Sequence, residues 1–534
     1  MIKIIQKIFI VIPPLVNTDE EGNLNSDRPD FESRRLVSPV EPATAAAHLR
    51  STGFEVRLFD MGLFITGRFE SLEASLLDFK PDAVAIVQSI LTFATAQDWN
   101  GKRVFDLARC LTPKVTTILT GSQATNYPGQ AVKEGVCDFS IRGEVDFALG
   151  ELLAALNSNG DLSKIPGLTY RTETKAIVVT ENYPIVDITQ LPLPAYDLIS
   201  KEDKDKYSKI LERGKIRYPE KSHYYRDIMT SRSCVLRCSF CCVAQMRGEQ
   251  QKYRRKTLQM VMAEIDSALQ EGIEEIHFFD DLFVQNEKQI IDFVNEIMKR
   301  KLKFHWFVSQ GMPLWPLTKN ALIAMKEAGM YRIICPFESG SDRVLKKVIG
   351  KVHSTTAHHH DVIQWANKAG IEIIGMFVVG MPGETRRDIL DTVLFAESHP
   401  EVDYSVFSIA TPMIGTKLMK QVTKEGRLGD QGKINRVIKR TVALYRTEEF
   451  SEYEMGVIRA FDWDRINFSV NERCVKYARM AGITEAELDQ LRKHSKQTFH
   501  RFFPNYDGPL SFKDLYDKPG LYRQLDPVIP KTLY

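Results

Sequence analysis

From Lys7 to about residue 155, short apolar runs alternate with stretches whose apolar residues recur at helical spacing. Ile8 to Ile12, Glu55 to Phe59, Ala83 to Val87 and Thr116 to Leu119 read as strands; helices fit between them, for example Ala43 to Ser51 and Ala94 to Leu111. Alternation of this kind predicts an α/β fold, a doubly wound and mostly parallel sheet. Ligands on such sheets bind beyond the carboxyl ends of the strands. The loops of interest are therefore those from Pro13 onward, Gln88 to Phe93, and Gly121 to Pro128. Pro166-Gly-Leu-Thr-Tyr and Ile177-Val-Val-Thr then read as a small hairpin. The Pro-rich stretch Leu191 to Tyr196 reads as a linker before a charged helix near Lys201 to Lys215.

The alternation restarts with regular spacing after Asp227-Ile-Met-Thr-Ser231. Strands fit Glu275 to Asp280, Phe304 to Ser309, Arg332 to Phe337, Ile371 to Val379 and Asp403 to Ile409. Helices fit Leu258 to Gln270, Gln285 to Lys299, Lys319 to Ala328, Thr355 to Ala369 and Thr385 to Ser398. Polar residues stand where these strands end: Asp280-Asp281, Ser309-Gln310, Glu338-Ser-Gly-Ser341 and Gly380-Met-Pro-Gly-Glu384-Thr385. From about Gly426 the pattern turns helical and charged, with aromatics at Phe461, Trp463, Phe468, Tyr477, Phe499 and Phe502, and no residue set has catalytic spacing.

A length of 534 residues suggests three or four domains at roughly 150 residues each. The net charge of +2 comes without a basic block interleaved with aromatics, so nucleic acid is not an expected partner. Eight cysteines in so long a chain suit a reducing compartment rather than a disulfide framework. The apolar opening stops at Pro13-Pro14 without a small-residue cleavage site, and no stretch reaches the ~20 apolar residues a membrane span needs. A cytoplasmic protein is expected.

The chemistry concentrates in Thr230-Ser-Arg-Ser-Cys234-Val-Leu-Arg-Cys238-Ser-Phe-Cys241. The spacing C-x3-C-x2-C presents three thiolates from one tight loop. Four-iron clusters are usually held by four, so three leave one iron open to a substrate or cofactor. A structural zinc site would instead want a fourth ligand at matching spacing. Cys110, Cys137, Cys335 and Cys474 read as small buried hydrophobes, and Cys242 as a bystander. The run His358-His359-His360 cannot converge on one ion, because consecutive helical residues point about 100° apart, and reads as a solvated helix face. Arg254-Arg255-Lys256 reads as surface or as a contact to the cysteine loop.

With Phe240 before its last cysteine, the loop resembles the signature of the radical S-adenosylmethionine (SAM) superfamily, in which SAM chelates the open iron. The earlier segments resemble, in order, the amino-terminal cobalamin-binding domain of one branch, the cobalamin-dependent radical SAM methyltransferases. They are Pro42-Ala-Thr-Ala-Ala-Ala-His48-Leu, Gly53-Phe-Glu-Val-Arg-Leu-Phe-Asp60, Pro81-Asp-Ala-Val-Ala-Ile-Val-Gln-Ser89, Thr120-Gly-Ser-Gln-Ala-Thr125 and Asp138-Phe-Ser-Ile-Arg-Gly-Glu-Val145. The histidine motif Asp-x-His-x-x-Gly is missing, as in other members of that branch, and Gly121-Ser122-Gln123 stands where relatives often carry a histidine.

The resemblance implies a Rossmann-like cobalamin domain over 1–155, a hairpin and linker over 156–220, a partial (β/α)6 barrel over 221–425 and a helical region over 426–534. Barrels of this kind place chemistry at the carboxyl ends of their strands. It further implies Cys234, Cys238 and Cys241 as ligands of a 4Fe-4S cluster; Phe240, Asp280, Glu338, Ser339 and Gly380 at SAM; and Ser89, Gly121, Ser122 and Gln123 at cobalamin. Asp280-Asp281 also reads as hydrogen-bonded scaffold, and Gly383-Glu384-Thr385 as a turn and helix start. The activity implied is methyl transfer from SAM through methylcobalamin to an unactivated carbon or phosphorus of a small molecule, with an electron donor such as flavodoxin or ferredoxin. An oxidative cyclase or ring rearrangement without methyl transfer, and a cluster protein that only carries electrons, remain as alternatives.

Overall fold

The computed structural model describes residues 4–13, 38–63, 68–88, 101–181, 186–200, 202–203, 221–222, 224–248, 252–428 and 443–518. The chain forms two compact units, Met1–Ile216 with Val243–Asp266, and Arg217–Cys242 with Ser267–Tyr534. No helix among the described residues is long and apolar enough to cross a membrane.

The first unit is built on a sheet of β1 (Lys7–Ile12), β2 (Glu55–Asp60), β3 (Ala83–Ile86), β4 (Thr116–Leu119), β5 (Phe139–Ile141), β6 (Leu168–Arg171) and β7 (Ile177–Val179), ordered 2-1-3-4-5-6-7. β1 to β5 are parallel, and the order changes direction between β1 and β3, where doubly wound sheets bind ligands. The unbroken apolar run of β1 follows from burial on both faces. Ile8 and Ile10 pack with Ala45, Leu49 and Leu152, while Phe9 and Val11 pack with Phe69, Leu72 and Phe105. The expected hairpin is β6 and β7; it continues this sheet, antiparallel to β5, rather than standing apart. Residues 89–100, which hold Ser89 and the start of the helix expected from Ala94, lie outside the described residues. So does most of the charged helix expected between Lys201 and Lys215.

The second unit carries six parallel strands, β8 (Tyr225–Ile228), β9 (Glu275–Phe278), β10 (His305–Val308), β11 (Arg332–Glu338), β12 (Glu372–Val379) and β13 (Tyr404–Ile409). They run as two three-stranded sheets, β10-β9-β8 and β11-β12-β13, joined by a single parallel bridge from Trp306 to Met330. Asn286, Thr318, Thr355 and Thr385 cap the helices that begin at Glu287, Lys319, Thr356 and Arg386, each side chain accepting a backbone N–H. The open edge of β13 is covered by the carboxy-terminal helices. Asn467 accepts from the Ser405 N–H at 2.7 Å and donates to the Ser405 carbonyl at 2.9 Å, and the Trp463 indole donates to the Tyr404 hydroxyl. A side-chain amide thereby takes the place of a neighbouring strand.

Candidate active site

The three cysteines lie on the loop that leaves β8, and the two aspartates after β9 hold the entrance to that loop. Asp280 Oδ1 accepts from the Thr230 N–H (2.8 Å) and hydroxyl (3.0 Å) and from the Ser231 N–H (2.5 Å) and hydroxyl (2.8 Å). Asp281 Oδ2 accepts from the N–H of Ser233, a residue at φ +66°. Charge-assisted bonds of this kind fix the backbone as it leaves β8. Beyond Cys238 the Ser239 N–H donates to the Ile349 carbonyl, the Leu418 N–H donates to the Ser239 carbonyl, and the Cys241 N–H closes a turn onto the Cys238 carbonyl.

All eight cysteines are free thiols. Burial pushes the Cys234 and Cys238 thiols up to about 12; Cys234 feels the charge of Cys238, and Cys238 that of Cys241. Lys351 works in the opposite direction on both. Among the described residues no three His, Cys, Asp or Glu side chains converge as a single ion would require. A four-iron cluster takes each thiolate on a different iron and does not need that convergence. Three neighbouring thiols on one loop beside a buried ammonium fit such a cluster. Phe240 is half-buried within the loop.

β11 ends in strain. The register shifts between Pro336 and Glu338, and Glu338 sits at φ +64°, a conformation that costs a side-chain-bearing residue roughly 1–2 kcal/mol. What holds it is Lys351, whose buried Nζ donates to Glu338 Oε1 at 2.9 Å and to the Pro336 carbonyl at 2.6 Å. Ser339 is fully buried and hydrogen-bonded to the Thr392 hydroxyl and the Ser341 N–H. A Cβ at Gly340 would fall 2.4 Å from the Asp391 carbonyl oxygen, so the turn passes the helix Arg386–Glu397 with no room for a side chain. The Ser341 hydroxyl and the Arg343 guanidinium both donate to Asp388, which also closes the capping box with Thr385. Burial opposes the Asp388 charge, but the hydrogen bonds from Arg343, Ser341 and Thr385 outweigh it and hold the carboxyl well below the usual range.

At the end of β12, Gly380 adopts φ +86°, and a Cβ there would lie 3.1 Å from Met455 Sδ. The Tyr445 hydroxyl donates to the Gly380 carbonyl at 2.6 Å. Glu384 is buried and accepts the Met381 N–H, and burial raises its carboxyl to about 8. Gly383-Glu384-Thr385 thus forms the turn and helix start, and also encloses a carboxyl that is neutral near pH 7.

In the first unit, Gly121 follows β4 at φ +84°, where a Cβ would be 2.7 Å from the Gln88 Cβ. Ser122 is buried and donates to Gln88 Oε1. Gln123 Oε1 and, one turn on, Asn126 Oδ1 are buried with no hydrogen-bond partner. Orphaned amide oxygens at the carboxyl end of a central strand suit a ligand rich in N–H donors, as the carboxamide fringe of cobalamin is.

Three expectations are corrected. Cys137 and Cys335 are buried, but Cys110 is exposed and Cys474 only half-buried. His358 to His360 do point apart, but they are not a solvated face. His359 is fully buried against Phe337 and Phe395, and burial followed by the Lys351 charge pulls its ring down to about 3. His358 bonds to the Leu314 carbonyl and only His360 is exposed. Of the two readings of Arg254-Arg255-Lys256, the surface one fails for Arg254 and Lys256. Arg254 grips the fully buried Glu144 with two bonds, Arg247 joins Glu144 to Glu41, and Lys256 pairs with Glu264. Lys351 and Tyr445 escaped the sequence reading because their partners lie 13 and 65 residues away, with no spacing to announce them.

The Radical SAM superfamily model matches residues 228–396. An uncharacterized methyltransferase of Pyrococcus horikoshii is 29% identical over 419 residues, covering 78% of this chain and 82% of the relative. The cytidylyl-2-hydroxyethylphosphonate methyltransferase of Streptomyces wedmorensis is 26% identical over 478 residues, covering 80% and 86%. Among solved structures, the cobalamin-dependent SAM radical enzyme OxsB with aqua-cobalamin bound superposes with a TM-score of 0.66 at 16% identity, over 96% of this chain and 75% of that one. With its cysteine loop inside the matched residues, the chain carries a radical SAM domain over residues 228–396 and shares its fold with a cobalamin-dependent SAM radical enzyme.

Proposed function

We propose that the protein is a cobalamin-dependent radical SAM methyltransferase, moving a methyl group from SAM by way of cobalamin to an unactivated carbon or phosphorus of a small-molecule or natural-product intermediate. The observation that carries this reading is the loop Cys234–Cys241, three thiols inside a radical SAM domain, one fewer than the four that usually hold a four-iron cluster. Methyl transfer is supported by the activities that two relatives are named for, and cobalamin by the solved relative and by the orphaned amides of Gln123 and Asn126. Bound to the three thiolates, a 4Fe-4S cluster supplies the electron that cleaves SAM, and cobalamin in the first unit supplies the methyl carrier.

The protein's own groups have separate tasks. Asp280 and Asp281 hold the loop open toward the barrel end, and Lys351 offsets the negative charge the thiolates acquire on binding iron. Glu338, Ser339, Phe240 and the Gly380 backbone are assigned to SAM, whose ammonium and ribose hydroxyls want carboxylate and hydroxyl partners and whose adenine a glycine lets the chain approach. Gly121, Ser122 and Gln123 are assigned to cobalamin.

The test is anaerobic: reconstitute with iron and sulfide, add SAM and a strong reductant, and quantify 5′-deoxyadenosine and S-adenosylhomocysteine with and without hydroxocobalamin. Cobalamin-dependent S-adenosylhomocysteine beside 5′-deoxyadenosine is the expected result. Deoxyadenosine alone, across a panel of candidate phosphonate and carbon substrates, would reject methyl transfer in favour of a cyclase-type reaction.

A further inference from the structure

The cysteine loop meets the surface of the second unit among cations. Three stretches converge on Ser239: its own loop, the turn Val348-Ile349 through the Ser239 N–H and hydroxyl, and the helix Lys417–Lys424 through the Leu418 N–H. Residues 232–242, 343–360 and 404–424 contain no aspartate or glutamate at all. They do contain Arg237, Lys346, Lys347, Lys417 and Lys420, all exposed, and the Lys417 Nζ reaches the Arg237 carbonyl. Beside them stand two exposed valines, Val235 within the cysteine loop and Val352 after the turn, at 47% and 57% exposure. Of the acids that border these stretches, Glu425 pairs with Arg427, Asp342 accepts the Thr356 N–H and Asp403 pairs with Lys476, while Asp361 follows the third histidine on the surface. A chain of nearly balanced charge has thus gathered one sign around the rim of its cluster loop.

We propose that this rim is the docking surface for an acidic one-electron carrier protein, the reductant of the cluster, a proposal that rests on the radical SAM reading of the loop. Positive charge around a small apolar centre is the arrangement that steers an acidic partner and then desolvates a contact. Arg237 is the neighbour of Cys238 in sequence, so a carrier seated on the rim brings its redox group beside the cluster ligands. The carrier loses one electron, the cluster gains it, and no bond is made or broken.

The experiment uses the full reconstituted chain and a purified acidic flavodoxin. Binding of oxidised flavodoxin is titrated at low and at physiological salt, and bleaching of cluster absorbance is followed with reduced flavodoxin and, separately, with dithionite. The triple variant Lys346→Glu, Lys347→Glu, Lys417→Glu is expected to weaken flavodoxin binding and slow flavodoxin-driven bleaching at least about tenfold, and to flatten the salt dependence. Its dithionite-driven bleaching stays unchanged. Lys288→Glu with Lys493→Glu, reversals outside the three stretches, leaves both reductants unaffected. Unchanged flavodoxin binding in the triple variant would overturn the proposal, as would an equal loss in the control pair. A preparation that binds no cluster would instead count against the reading of the loop.

Discussion

The ends of the barrel strands and the end of β4 in the first unit prepare for ligands in opposite ways. In the barrel, each of these strand-end side chains has at least one protein partner: Asp280 with Thr230 and Ser231, Glu338 with Lys351, Ser341 and Arg343 with Asp388, and Glu384 with the Met381 N–H, although the other Glu384 oxygen is buried without one. In the first unit, Gln123 and Asn126 keep buried amide oxygens with none. A radical source has to be held in a fixed geometry before anything binds, and fixed charge does that well. A large ligand with many amides can supply the missing hydrogen bonds itself. On the proposed function, the difference makes one site preassembled and leaves the other to be completed by its ligand.

Removing a cluster ligand should produce the largest effect. Cys238→Ala is expected to abolish the iron-sulfur absorbance after reconstitution and to bring 5′-deoxyadenosine to background, while leaving cobalamin binding intact. Loss of both would mean that the two regions are not separable. Asp280→Ala comes next, because it strands four donors at the loop entrance. It should lower stability by at least about 3 kcal/mol in a denaturant titration and reduce the iron retained per chain, whereas Asp280→Asn should recover part of both. Wild-type iron content in the alanine variant would show the loop to be held by other means.

A third prediction concerns two buried carboxyls on the same helix start. Glu384 is protonated in the fold up to about 8 but ionises near its ordinary value when unfolded, so the folded state binds the extra proton between those values. Stability from this residue is therefore full at low pH and falls as pH rises toward 8. Asp388 has the opposite sign, since its depressed value gives stability at neutral pH that is lost in acid. Glu384→Gln should flatten the decline of the melting temperature between about pH 5 and pH 8, and a variant with the wild-type slope there would contradict the burial argument. The smallest effect belongs to the first unit. Gln123→Ala should weaken cobalamin binding about threefold to tenfold, the worth of one hydrogen bond, with no fall in melting temperature. A loss of stability without a change in affinity would mean that Gln123 serves the fold rather than a ligand.

Much of the architecture was readable from the chain. β1 and β12 are runs of apolar residues that only double-sided burial explains, and the threonine or asparagine before four of the barrel helices supplies its cap. The cysteine loop stands out in the chain because its three thiols are close in sequence. What escaped were contacts made across the fold. Nothing near Lys351 says that it will lie against Glu338, and Tyr445 meets Gly380 only because the carboxy-terminal segment folds back over β12. His359 looked polar among polar neighbours, yet its helix register turns it into the core. The hairpin β6-β7 was visible as a hairpin, but its pairing to β5 rests on register that turn residues alone do not carry.

The central claim is that three thiolates leave an iron open to SAM. Electron paramagnetic resonance of the anaerobically reduced protein, recorded with and without SAM, tests it most directly. The account predicts a reduced-cluster signal that shifts on adding SAM and is missing from Cys238→Ala. A signal that SAM leaves untouched, at saturating concentration and full cluster occupancy, would contradict it.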